Sequence, residues 1–131
     1  MIRKAIDMVV ESRSNMRNGT GTVTLQHFFK PEEITAKSRL CARLTLPPGA
    51  SIGPHQHAGE DEVYIITRGS GLLDDGTART PVTAGDAILT GRGESHSLLN
   101  TGTHELELRN HELRMNCTSV GVTWWSPSYE F

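Results

Sequence analysis

Apolar and polar residues alternate along most of this chain. In 38–46 (SRLCARLTL), Leu40, Ala42, Leu44 and Leu46 fall on one face of an extended segment, and Arg39, Cys41, Arg43 and Thr45 fall on the other. A period of two marks a half-buried strand. Segments 62–67 (EVYIIT), 86–90 (DAILT), 96–100 (HSLLN), 105–109 (ELELR) and 119–125 (VGVTWW) read the same way, and 19–29 (GTGTVTLQHFF) is rich in β-branched and aromatic residues. Turn signals separate them: Pro47-Pro48-Gly49, Ala58-Gly59, Gly69-Ser70-Gly71, Asp75-Gly76, Ala84-Gly85-Asp86, Gly91-Arg92-Gly93 and Thr101-Gly102. Asp75-Gly76 is the strongest short hairpin signal among these. Many short strands at near-regular spacing predict an all-β sandwich or barrel. Only 2–12 and the turn at Pro31-Glu32-Glu33-Ile34 are open to a helical reading. With no linker, repeat or low-complexity tract, the 131 residues read as a single domain, 1–131.

Composition narrows the function classes. A chain of this length buries roughly two-thirds of its unfolded surface, so it needs neither a disulfide nor a structural metal to fold. Thirteen basic residues against fifteen acidic give a net charge of −2. That leaves no basic footprint for nucleic acid. No apolar run approaches the roughly 20 residues that span a bilayer. Asp7 and Glu11 interrupt the stretch after Arg3-Lys4 that a signal peptide would need. The expectation is a soluble, cytoplasmic protein without a membrane partner. Cys41 and Cys117 form no Cys-x-x-Cys and read as reduced, inert thiols. Trp124, Trp125, Tyr129 and Phe131 crowd the C-terminal end. Aromatic clusters of this kind favour interfaces, and with open sheet edges they point to a homodimer.

The chemistry concentrates on histidine. His55 and His57 form His-x-His in a strand-like stretch, so both imidazoles share a face and can share one ion. Ala58-Gly59-Glu60-Asp61 reads as a tight, solvated turn, which as a hairpin would bring Glu62 across from the two histidines. His96, on a later strand, offers a third imidazole. Three neutral nitrogens and one carboxylate suit a transition ion (Mn, Fe, Zn, Ni or Co) better than Ca or Mg, and leave positions open for a ligand. Tyr64 and Ile66 share parity with Glu62 and face the interior, where Tyr64 is either a proton-bearing neighbour of the site or a packed ring. Gln56 and His27 are further candidate substrate contacts. Arg39 and Arg43 read as a solvated or interface face.

These residues resemble the cupin superfamily. Gly49, His55, His57, Glu62 and Gly69 fit its first motif, G-x5-H-x-H-x4-E-x6-G, and Gly85, Gly93, His96 and Asn100 fit its second, G-x5-P-x-G-x2-H-x3-N, with Gly91 in place of the proline. The motif core is 49–100. The resemblance implies a double-stranded β-helix, a jelly-roll barrel of two antiparallel sheets, with one divalent transition metal on His55, His57, Glu62 and His96. It implies a metal-dependent enzyme on a small organic substrate, of decarboxylase, dioxygenase or isomerase type, or else a non-catalytic ligand-binding or sensing cupin. The string PGA-x-I-x-x-H-x-H is similar to that of small oxalate-decarboxylase-like cupins. Oxalate decarboxylases carry an arginine three residues before the first metal histidine, where this chain has Ile52, so oxalate decarboxylation itself is not expected.

Overall fold

The inward apolar stripes of the sequence close on one another from two antiparallel sheets. A computed structural model describes residues 1–114. It contains ten strands: β1 (Val9–Ser14), β2 (Thr22–His27), β3 (Ser38–Leu46), β4 (Ser51–Gln56), β5 (Glu60–Arg68), β6 (Ser70–Asp74), β7 (Arg79–Thr83), β8 (Ala87–Thr90), β9 (Ser95–Leu99) and β10 (Leu106–Arg114). One sheet runs β1-β2-β3-β10-β5-β8 and the other β4-β9-β6-β7. Leu40, Ala42, Leu44 and Leu46 are buried as their parity requires, and they pack with Val23, Leu25, Ile52, Tyr64, Ile66, Leu98, Leu106 and Leu108. The all-β expectation holds.

Local chemistry explains the connections. The Asp75-Gly76 signal forms the β6–β7 hairpin, where Asp75 accepts the backbone N–H groups of Thr77 and Ala78. Gly69 joins β5 to β6 at φ +83, and a Cβ there would stand 2.5 Å from the carbonyl oxygen of Glu105. Only glycine fits both demands. Pro31–Glu33 forms a single 3-10 turn, as its sequence suggests. Buried Asn100 explains its place in the second motif: its amide donates to the carbonyls of Leu46 and His104, and its oxygen accepts from Gly102 N–H.

Two expectations are corrected. Residues 2–12 are not a helix; Ala5–Asp7 makes one 3-10 turn and Val9–Ser14 pairs residue by residue with β2. Ile2 and Ile6 are 87% and 90% exposed, so an apolar helical stripe has nothing to pack on. Strand pairing satisfies the backbone polar groups instead. The link from His57 to Glu62 is also not a hairpin within one sheet. β4 pairs with β9, whereas β5 pairs with β10 and β8. The chain crosses between sheets at 57–60, and Glu62 meets the histidines across the barrel interior. The expected strand at 119–125 and the aromatic C-terminal cluster lie outside the described residues. Among the described residues no helix is long and apolar enough to cross a membrane.

Candidate metal centre

His55 lies on β4 and His57 just beyond it, at the crossing between sheets. Glu62 lies on β5 and His96 on β9, paired with His55. A bulge in β4 sets the approach. Ile52 pairs with Leu98 and His55 with His96, so three steps on β4 oppose two on β9. The extra residue turns Ile52 and His55 to the same side although their spacing is odd. Ile52 is buried in the core, so the position three residues before His55 carries no cation.

The four side chains converge. His57 Nε2 and His55 Nε2 each stand 3.1 Å from His96 Nε2. Glu62 Oε1 is 2.7 Å from His96 Nε2, 3.2 Å from His57 Nε2 and 4.0 Å from His55 Nε2. Donors about 2.1 Å from a common centre stand about 3.0 Å apart at right angles and about 4.2 Å apart when opposite. The five spans lie between these values or just below them, so the four side chains could hold one ion.

The other ring nitrogens fix the tautomers of His55 and His57. His55 Nδ1 donates to the carbonyl of Gly53 at 2.7 Å, and His57 Nδ1 donates to Glu60 Oε1 at 3.0 Å. His96 Nδ1 meets the Thr90 hydroxyl at 2.8 Å. Protons held on the outer nitrogens of His55 and His57 leave their Nε2 lone pairs facing the centre. Burial lowers both the His55 and His96 imidazoles to about 4, so both are neutral at pH 7. Glu62 is buried, and its Oε1 faces the Nε2 atoms of His96 and His57 at 2.7 and 3.2 Å rather than a basic side chain or a backbone N–H. A carboxylate this deeply buried is costly unless a cation completes it. The residues present therefore fit a divalent transition ion.

Several neighbours escape a reading by strand period. Glu60 is buried, not solvated in a turn; its second oxygen receives Arg39 at 3.2 Å. Burial alone would raise its carboxyl, but the bonds from His57 and Arg39 together hold it below the usual range. Arg39 reaches inward because β3 bulges there: Ser38 pairs with Leu113 and Leu40 with Glu112, which leaves Arg39 as the extra residue. Arg39 is nonetheless exposed, as its reading as a solvated face expects; its guanidinium also reaches Glu60 and Glu112. Glu112, opposite Glu62 on β10, is buried as well. Burial and the Glu62 carboxylate push its carboxyl up to about 8. The alternation of 105–109 continues to Glu112, but polar Asn110 and Glu112 on the inward face conceal it. Tyr64 is buried and stacks on His96 at 5.0 Å between ring centroids. Burial, and then the charge of Glu62, raise its phenol well above the ordinary range. Gln56 is exposed and donates to the Gly93 carbonyl, and His27 pairs with Glu11 at 2.7 Å; neither joins the cluster.

Comparison with known proteins agrees with this architecture. The chain is 44% identical over 107 residues to an "Oxalate-binding protein" of Thermotoga maritima, which covers 82% of this chain and 88% of the relative. A "Beta-alanine degradation protein BauB" of Pseudomonas aeruginosa is 32% identical over 69 residues, 51% of this chain and 73% of that protein. The crystal structure of a predicted oxalate decarboxylase from Thermotoga maritima superposes with a TM-score of 0.83 at 41% identity, over 88% of this chain and 100% of that one. With that neighbour, the two antiparallel sheets form a double-stranded β-helix. The family model described as "Cupin domain" matches residues 42–112. This chain, with two facing antiparallel sheets and a buried three-histidine, one-glutamate cluster between them, belongs to the cupin family.

Proposed function

We propose that the protein holds one divalent transition metal on His55, His57, Glu62 and His96, and through it binds a small carboxylic acid of the oxalate class. The observation that carries this reading is the set of four convergent donors with the buried Glu62 carboxylate among them. The oxalate-binding relative supports the ligand class. A bound ion supplies Lewis acidity and open positions for carboxylate oxygens. The chain's own residues do the rest. The Nδ1 bonds of His55 and His57 keep Nε2 unprotonated, and the surrounding core excludes water. The test is elemental analysis of the purified protein, followed by calorimetric titration of oxalate with and without a chelator. Metal-dependent heat is expected; oxalate binding that survives the chelator would overturn the reading.

A second reading is turnover of such an acid, of decarboxylase, dioxygenase or isomerase type. The proton-bearing Tyr64 and Glu112 side chains buried beside Glu62 favour it. Buried Ile52 leaves β4 without a fixed cation, so oxalate cleavage is not included. Product analysis after incubation with small carboxylic acids separates turnover from binding.

We also infer a symmetric homodimer through the outer face of the six-stranded sheet. There Val63, Ile65 and Leu89 form an apolar strip in which Ile65 is 44% and Leu89 69% exposed. A monodisperse monomer in light scattering at micromolar concentration would overturn it.

A further inference from the structure

We infer that His27 and Asn110 form a polar subsite inside the barrel, which takes the amino group of a small acid whose carboxylate is held at the His55–His57–Glu62–His96 centre. The inference rests on the metal-and-carboxylate reading above and adds what recognises the other end of the acid.

Strand register puts the two residues on one inward row. His27 on β2 pairs with Ala42 on β3, Ala42 with Asn110 on β10, and Asn110 with Tyr64 on β5. His27 shares parity with the fully buried Val23 and Leu25, and Ala42 and Tyr64 are buried too. Neighbouring strands lie about 4.8 Å apart, so the backbones of His27 and Asn110 stand about 10 Å apart. Ala42, the smallest side chain of the row, is all that separates them.

This row adjoins the candidate metal centre. Tyr64 stacks on His96. Glu112 lies two residues beyond Asn110 on β10, about 7 Å along the same face, and pairs with Glu62. An acid of about three or four carbons spans such a step.

Each of the two residues carries an unanswered polar atom. Asn110 is 2% exposed and the His27 side chain 12%. Among the described residues, His27 Nδ1 and Asn110 Oδ1 are buried without a hydrogen-bond partner. An orphan of this kind costs about 1–3 kcal/mol unless a partner satisfies it. Glu11 decides which partner that is. Its Oε1 accepts from His27 Nε2 at 2.7 Å, so Nδ1 of the neutral ring is an acceptor, as Asn110 Oδ1 is. Two acceptors on one row call for a group with at least two donors. A primary amino group has them, a hydroxyl has one and a methyl has none. The Glu11 carboxylate behind the imidazole adds attraction for a cationic amine.

The experiment is calorimetric titration of the manganese-loaded full-length protein with 3-aminopropionate, 3-hydroxypropionate and propionate, which share a carboxylate and differ only at the far end. We expect the amino acid to bind about 10- to 100-fold tighter than propionate, with the hydroxy acid between them, as one or two charge-assisted hydrogen bonds provide. Asn110→Leu and His27→Phe, which remove the two acceptors, should each bring the amino acid to within about threefold of propionate. Asn110→Asp keeps an acceptor oxygen and should keep the preference. Glu11→Leu leaves the His27 tautomer unfixed and should reduce the preference a few-fold. Each variant is read as a ratio between two ligands, so a general weakening cancels, and manganese content shows that the centre is intact. A wild-type preference below about threefold, or one unchanged in both Asn110→Leu and His27→Phe, would overturn the subsite and leave the pair as the seat of a structural water only. Failure of the manganese-loaded wild type to bind propionate and oxalate alike would overturn both this inference and the reading beneath it.

Discussion

Removing Glu60 should loosen the metal without touching a metal-facing atom. Glu60 Oε1 holds the Nδ1 proton of His57 at 3.0 Å, and Oε2 receives Arg39 at 3.2 Å. In Glu60→Ala the outer nitrogen of a fully buried imidazole loses its acceptor. The ring is then free to rotate, and Nε2 is no longer the obligatory lone pair. Losing such an orienting partner costs about 10- to 100-fold in metal affinity, or about 1.4–2.7 kcal/mol. The Arg39 side chain is 43% exposed, so its share of the interaction is screened and adds less. Glu60→Gln separates geometry from charge. Its amide oxygen still accepts from His57, but its amide nitrogen faces Arg39, so a loss of only a few-fold is expected. Zinc affinity read by competition with a fluorescent chelator measures all three proteins, and the visible spectrum of the cobalt form reports distortion at the ion. Zinc affinity of Glu60→Ala within about twofold of wild type, with an unchanged cobalt spectrum, would refute the orienting role.

Three further outcomes follow from the structure. The His55→Ala/His57→Ala double variant should purify without metal yet melt cooperatively, because the apolar core is built without it; full metal occupancy by elemental analysis would reject the ligand set. Arg3 bonds both oxygens of Glu33 and holds its carboxyl at about 2, down from an ordinary 4.5, so the stabilisation is fully present above pH 4.5 and is lost as pH falls towards 2. The stability gap between wild type and Arg3→Met in urea melts should therefore close over that window and stay constant above it. Gly91→Pro, which would restore the family's usual residue, should destabilise by about 1–2 kcal/mol. It removes an N–H donated to Glu94, and its added Cβ would meet Asp61 Oδ1 at 2.0 Å; a second change, Asp61→Ala, should recover part of the loss in thermal melts.

What the sequence made legible is what strand period and turn chemistry control. The stripe from Leu40 to Leu46 is buried as read, because one face of β3 has the whole barrel to pack on. The His-x-His spacing and the motif positions of Glu62 and His96 point to the four side chains that the structure brings together. The N-terminal strand was not legible: Val9–Ser14 carries polar residues on an edge, and its pairing is set by β2 rather than by its own pattern. The ladder partners of β4 and β5 were hidden as well, because a short link serves equally for a hairpin and for a step between sheets.

At two of the positions around the site, bulges break the period. Arg39 is the extra residue of β3, so a side chain assigned to the outer face bends towards buried Glu60 and Glu112. The irregularity between Ile52 and His55 turns two residues of opposite parity to the same side. In each case the inserted residue re-aims a side chain at the candidate metal centre while the rest of the ladder keeps its register. Period-based reading therefore fails near the chemistry for a physical cause. A regular barrel directs alternate side chains into an apolar core, and a barrel that holds four ligands and their supports must depart from regularity where those supports enter. The same departure explains why Ile52, not an arginine, fits before His55: the bulge commits that position to the apolar core.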